Sequence, residues 1–497
     1  MEQKTNGNHQ HKKGYIRMLI AITITSAMGF LFAKYAPRGP ITTSQVLVSI
    51  AGGLVIGIIC GFIAQNRWIK LAAPIFFWAV FEISRFGTWG PTVDIINLSS
   101  MYGMIAFVLG RLIPFLLVAF PMMVGVRYGL WMAVRTTESF TMKFSTFNWA
   151  VTVIATALII LVAYLFAKKP TTAPIMGSNG EQLPNSVSEI MSTEIGGHEQ
   201  SLMIRGRNMD NPVILYLAGG PGGTDLGAMR NDVSLEENFV VATWDQRGVG
   251  KSYSAIDPVE TLTLDQMISD TLELTNYLRE RFGKEKIYLS GNSWGTLLGV
   301  LAVKEDPDLY HAFIGAGQMI SARETDIIFY EDTLAWAKKN GNDTLINVLV
   351  ENGPPPYNNL LQYEPAVGQE HAWNPYPYLN MRLEMPSNLM VPENSLIDKL
   401  NGLRSFLDTF SVLYPQIQDI DFRDDVKEFP IPFYMALGKY EARGRAELAV
   451  EWFSMLEAPV KEMIVFEKSG HRPMFEEPGI FAALMERIHS EITAKSE

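Results

Sequence analysis

The chain reads as an α/β protein. Its mostly parallel sheet is covered by helices on both faces, interrupted by a helical insertion and preceded by an all-α region apolar enough for a bilayer. Three observations predict this. Beyond residue 193, short apolar runs alternate with helical periodicity, the signature of parallel strands joined by crossover helices. Residues 318–425 are too many for one crossover, and their helical pattern and proline-rich aromatic run from Trp373 to Tyr378 read as a cap inserted over the sheet. Before residue 170, apolar stretches of near-spanning length follow one another.

Those stretches are Met18 to Ala33, Val46 to Ala64, Leu71 to Ile83, Tyr102 to Val126 and Trp149 to Ala167, giving about five spans in residues 1–169. The first follows Lys12, Lys13 and Arg17 as a signal peptide would, but further spans follow and no small-residue cleavage site closes it, so it reads as a retained anchor. The third is short and carries Glu82, so a re-entrant or buried helix is its alternative. Glu82 is expected to pair with Arg111; the other reading lets both line a site within the membrane. Lys4, Lys12, Lys13, Arg17, Arg67, Lys70, Arg127, Arg135 and Lys143 would then face the cytoplasm, which puts everything after the fifth span outside. Residues 1–169 hold 15 Lys and Arg against 4 acids and the remainder 26 against 48, so formal charges of +11 and −22 separate a membrane anchor from an acidic soluble part. That balance argues against nucleic acid as a partner and leaves the lipid bilayer as one. The sole cysteine, Cys60, excludes an intrachain disulfide.

Residues 170–192, rich in Pro, Thr, Ser, Asn and Gly, read as a linker. After it, Val213–Leu217 is a continuous apolar strand ending in Ala218-Gly219-Gly220-Pro221-Gly222-Gly223, where glycines let backbone approach a substrate. A strand Phe239–Trp244, a helix Leu264–Phe282 and a strand Lys286–Ser290 follow. Next come Gly291-Asn292-Ser293-Trp294-Gly295 and an apolar helix. The G-x-S-x-G pattern between strand and helix is a nucleophile elbow, in which small residues permit a one-residue turn that presents a serine at its tip. Ser293 is therefore the candidate nucleophile, with the N–H groups of Gly220 and Trp294 as candidate oxyanion donors.

The strand His311–Gly315 precedes the insertion; strands Phe433–Leu437 and Met463–Phe466 and helices Arg445–Leu456 and Ile480–Ile492 follow it. The turn after Phe433–Leu437 offers Glu441 as the acid that orients an imidazole, its alternative being a surface charge paired with Arg443 or Arg445. His471, in the loop after Met463–Phe466, completes the chain order serine, acid, histidine as the base; the other six histidines have no such context. Gly248-Val249-Gly250-Lys251-Ser252 imitates a phosphate-binding loop, but Asp245 stands where that pattern needs glycine. Asp245, Gln246 and Arg247 are instead expected to tie adjacent loops together. No cofactor or metal is expected.

Taken together, Gly219–Gly223, Trp244–Ser252, the elbow and the run Ser469–Pro478 resemble the α/β-hydrolases of the proline iminopeptidase type, serine exopeptidases that remove an N-terminal residue. The resemblance covers roughly residues 193–495 and implies an α/β-hydrolase core at 193–317 and 426–497, with a cap at 318–425. It implies the same oxyanion donors, Gly220 and Trp294, and an acidic cap residue for the substrate's amino terminus, for which Glu324 is the candidate. Two departures are Ala218, where histidine is usual, and Glu441, where aspartate is usual. The expected function is a membrane-anchored serine aminopeptidase acting on small peptides. The alternatives are an esterase or lipase with the same triad, a non-catalytic membrane receptor or scaffold that keeps a hydrolase fold for binding, and a channel or transporter with a hydrolytic appendage, for which only Glu82 and Arg111 speak.

Overall fold

The computed structural model describes residues 2–36, 38–85, 96–137 and 140–495. The chain forms two compact units, one holding Met1–Leu98, Gly103–Lys169 and Ser395–Leu400, the other Ser99–Tyr102, Pro170–Asn394 and Asn401–Glu497.

The first unit is helical: α1 (Glu2–Tyr35), α2 (Thr43–Ala64), α3 (Ile69–Ser84), α4 (Met101–Thr136, with a π-helical stretch at Val108–Leu112) and α5 (Thr146–Ala167). Thr42 and Gln45 close a capping box at the start of α2, and the Ser145 hydroxyl caps α5. Among the described residues four helices are long and apolar enough to cross a membrane: Lys12–Tyr35, α2, α4 and α5. The third expected span falls on α3, whose 16 residues reach about 24 Å, short of a hydrocarbon core of about 30 Å. The five expected stretches thus appear as four full-length helices and one short one. Helices α2 and α4 touch backbone to backbone, because a Cβ on Gly57 would collide with the Met122 carbonyl and one on Gly125 with that of Leu54. The expected Glu82–Arg111 pair is present at 3.4 Å within a wider cluster, where Glu82 also accepts from Arg38 at 2.7 Å and Arg85 at 3.2 Å.

The second unit is built on an eight-stranded sheet. Its strands are β1 (Val187–Ile195), β2 (His198–Gly206), β3 (Val213–Leu217), β4 (Val240–Asp245), β5 (Ile287–Asn292), β6 (Tyr310–Ala316), β7 (Phe433–Gly438) and β8 (Lys461–Phe466). Their order is β1-β2-β4-β3-β5-β6-β7-β8, and only β2 runs antiparallel to its neighbours. Every residue of β3, β4 and β5 is buried, as continuous apolar runs in a doubly covered parallel sheet must be. Strand β1 starts inside the segment expected to be linker. Its residues are mostly half-buried and mix polar with apolar instead of forming an apolar run, and Gly196-Gly197 turns it into β2.

Four further helices bear on the site: α6 (Leu264–Phe282), α7 (Trp294–Glu305), α8 (Ala322–Lys339) and, after β7, α9 (Arg443–Met455). Between β6 and β7 the chain is largely helical, and a bridge between Ser321 and Asp421 closes the base of this insertion. It reaches the loops at the carboxyl ends of three strands. Asn388 Nδ2 donates to the Thr224 carbonyl after β3, Asn374 Nδ2 to the Tyr440 carbonyl after β7, and Tyr376 hydroxyl to Glu476 after β8. Crevices outside the carboxyl ends of parallel strands are where such sheets bind ligands.

Candidate active site

The turn after β5 puts Ser293 at φ 54° and ψ −118°, a conformation that L-residues adopt only when the surroundings impose it. Among the described residues Gln65 is the one other non-glycine with positive φ. The constraint is steric. A Cβ on Gly291 would strike the Gly295 carbonyl, and one on Gly295 would strike that of Leu217, so β5 and α7 approach more closely than side chains allow. Hydrogen bonds tie the turn from both sides, from Ser293 N–H to the Ala316 carbonyl at 3.0 Å and from Thr296 N–H to the Ser293 carbonyl at 2.8 Å. The hydroxyl is left without a hydrogen-bond partner among the described residues.

The glycine loop after β3 lies against this serine, since a Cβ on Gly219 would stand 3.3 Å from Ser293 Cβ. Among the described residues neither Gly220 N–H nor Trp294 N–H, the first of α7, has an acceptor, so both amides are available to an oxyanion. Gln246 binds the two stretches to each other: it accepts from the buried Trp294 indole at 2.9 Å and donates to the Ala218 carbonyl at 3.3 Å. Arg247 forms a fully buried pair with Asp270 at 2.7 Å, and Asp245 accepts from Lys251 N–H at 2.9 Å. The Asp245–Arg247 segment thus braces loops, as its sequence suggests.

The backbone carbonyl of His471 accepts from Asn292 Nδ2 at 2.9 Å, and the same amide group donates to the Ala316 carbonyl. The ring lies beside Gly317, where a Cβ would come within 2.7 Å of Cε1. The imidazole is therefore next to the residue that follows Ala316, the acceptor of the Ser293 amide. Its Nδ1 is 2.7 Å from Glu441 Oε2, which fixes the proton on Nδ1 and leaves Nε2 with its lone pair. No hydrogen bond within 3.5 Å joins Ser293 to His471, a gap common before substrate tightens such a site.

Glu441 is buried, and Oε1 accepts from Ala442 N–H at 2.8 Å and Arg445 Nε at 2.7 Å. Burial pushes its pKa up, but the Arg445 charge and the contacts with His471 outweigh that and hold it at about 2. Glu441 is buried and not a surface charge, yet it does pair with Arg445: one oxygen meets the imidazole and the other the guanidinium, while Arg443 turns to Asp332 at 2.9 Å. Glu324 sits in the first turn of α8 with its carboxylate bound by Arg423, which also holds Asp421 at 2.6 Å and Glu451 at 2.9 Å, so one guanidinium is shared by three carboxylates.

Sequence reasoning had Arg445 only as a surface partner of Glu441 and Gln246 only as a loop tie, and it missed the two carboxylates that shape the histidine loop. Glu476 accepts from Gly470 N–H at 2.9 Å, and Glu477 from Lys468 N–H and the Ser469 hydroxyl, each at 2.8 Å. The available signal was two acids a few residues after a glycine turn, able to reach back to its free amides.

Residues 235–362 match the family described as serine aminopeptidase, S33. A probable aminopeptidase of Bacillus subtilis (strain 168), YbaC, is 30% identical over 311 residues, a match covering 61% of this chain and 96% of that protein. The chain belongs to the serine aminopeptidase S33 family. A probable proline iminopeptidase of Leptolyngbya boryana is 23% identical over 309 residues, covering 58% of this chain and 89% of its own. Among solved structures, the proline iminopeptidase of Mycobacterium smegmatis aligns over 62% of this chain and all of its own length, at 16% identity and a TM-score of 0.45. As an S33 member the chain is an α/β-hydrolase, and its sheet has the mostly parallel order of that fold. The match to YbaC leaves over a third of the chain outside it.

Proposed function

We propose that the chain is a membrane-anchored serine hydrolase, an aminopeptidase of the proline iminopeptidase type that cleaves an N-terminal residue from peptides through an acyl-enzyme. The observation carrying this reading is the buried Glu441 carboxylate on the His471 imidazole, whose carbonyl is tied to Asn292, next to a serine in forced positive-φ geometry. His471 Nε2 takes the hydroxyl proton as Ser293 Oγ attacks the carbonyl carbon of the N-terminal residue. The Gly220 and Trp294 amides receive the oxyanion, and Glu441 holds the imidazolium through Nδ1. Collapse of the tetrahedral intermediate breaks the peptide bond, and the proton on Nε2 passes to the leaving amine. Water, deprotonated by the same nitrogen, then releases the N-terminal residue and restores the serine. The insertion acts as the cap that excludes water and restricts access, which its bonds to three active-site loops support.

The hydrolase part is proposed to lie outside the cytoplasm. That placement requires α3 to cross as a fifth segment, which a 16-residue helix does with local bilayer thinning, and the basic residues around it favour that orientation. Digestion of the hydrolase part by protease added to intact cells is the expected result; protection until lysis would reverse the orientation.

The activity is tested on the detergent-solubilised full chain with aminoacyl β-naphthylamides and p-nitrophenyl esters side by side. Turnover of prolyl or other free-amino amides, lost on N-acetylation of the substrate, is the expected outcome. Hydrolysis of esters alone would make the protein an esterase on the same triad.

A further inference from the structure

We propose that Arg445 is a positioning residue for the triad, and that Glu370, reaching it from the insertion, sets how much of the guanidinium charge the triad feels. This rests on the serine-hydrolase reading above. Arg445 lies one helical turn beyond Glu441 and donates from Nε to Oε1 at 2.7 Å. Its Nη2 donates to Glu370, and its guanidinium lies 4.7 Å from the centre of the Phe329 ring on α8. The three charged side chains are 12%, 1% and 17% exposed for Arg445, Glu441 and Glu370, so the contacts are little screened by solvent.

A triad glutamate has one more torsion to fix than an aspartate. Here Arg445 and the Ala442 amide both seize Oε1, which leaves Oε2 aimed at His471 Nδ1. The Arg445–Glu441 contact therefore does work that a shorter acid would not need. One guanidinium is shared by two carboxylates, one belonging to the triad and one to the insertion. The other charged groups facing this cluster are Asp326 on α8, which feels Arg445, and Glu476, which faces the imidazole.

Loss of the cation and loss of its outer partner should move the pH profile in opposite directions. Without Arg445 the imidazole gains protons more easily and Glu441 loses its clamp. Without Glu370 the whole cationic charge opposes protonation of the imidazole. Steady-state kinetics of the full chain in detergent across pH read both effects. Arg445→Met should lower kcat about 100-fold with KM changed little, as misplacement of a reacting group by about 1 Å does. The acid limb of kcat/KM should rise by about half a pH unit or more. Arg445→Lys should restore the limb but only part of kcat. Glu370→Gln should keep most of kcat and move the limb down, and because this outer side chain is the gentlest change, its limb decides the matter if Arg445→Met fails to fold. Limbs that move the same way in both variants, or a native profile in Arg445→Met while Ser293→Ala is inactive, would overturn the proposal and leave the triad standing. Native turnover in Ser293→Ala would instead remove the serine-hydrolase reading beneath it.

Discussion

The nucleophile turn and the acid turn are held by opposite means. Ser293 is fixed by backbone: two glycines without room for a Cβ, amide bonds to Ala316 and from Thr296, and a forced positive φ. Glu441 is fixed by side chains, with Arg445 from the next helix on one oxygen and His471 from a loop 30 residues on at the other. A backbone-held group tolerates changes around it but not within its own turn. A side-chain-held group can be loosened one partner at a time, which makes the acid the tunable end of the triad.

The largest effect should come from the serine. Ser293→Ala is expected to lower kcat about a million-fold while the melting temperature stays near native, since alanine keeps the Cβ that strains the turn; turnover near native would break the comparison at its rigid end. Glu441→Gln should lower kcat about 10³- to 10⁴-fold through the wrong imidazole tautomer, and Glu441→Asp should cost far less only if the shorter acid keeps both His471 and Arg445. Gly295→Val should abolish activity by unmaking the elbow and lower stability by about 3 kcal/mol or more, since the added atoms meet the Leu217 backbone; a folded, active variant would show that the turn is less rigid than argued.

The smallest effect concerns Asp326 on α8, a buried carboxylate that accepts from the Tyr414 hydroxyl at 2.8 Å. Burial raises its pKa from 3.8 to about 7, the Tyr414 bond and the Arg445 charge opposing only in part. Between those values the folded protein holds a proton that the unfolded chain has released, so stability falls as pH rises from about 4 to 7 and then levels. Asp326→Asn keeps the acceptor for Tyr414 and removes the titration. Its melting temperature should gain on the native protein by a few degrees across that window, whereas a constant difference would remove Asp326 as the cause.

How much of this was legible in the sequence follows the same division. The elbow, the glycine loop and the buried strands are written in contiguous residues, and β3 and α6 begin and end where periodicity puts them. The β1–β2 hairpin was not legible, because both strands mix polar and apolar residues without a clear period and β1 follows a loop-like composition. The pairing of Glu324 with Arg423, 99 residues away, and the sharing of Arg445 with Glu370, 75 residues before it, were not legible, because neither partner is close in the chain. Apolarity marks α3 as buried or lipid-facing, while its length of 16 residues is decided where the helix stops.

The most direct test of the central claim is labelling of the full chain with a fluorophosphonate, followed by mass spectrometry of the peptide containing residue 293. The account predicts one covalent adduct on Ser293, formed slowly in Glu441→Gln and not at all in His471→Ala. Labelling that ignores the loss of His471, or an adduct on any other serine, would contradict it.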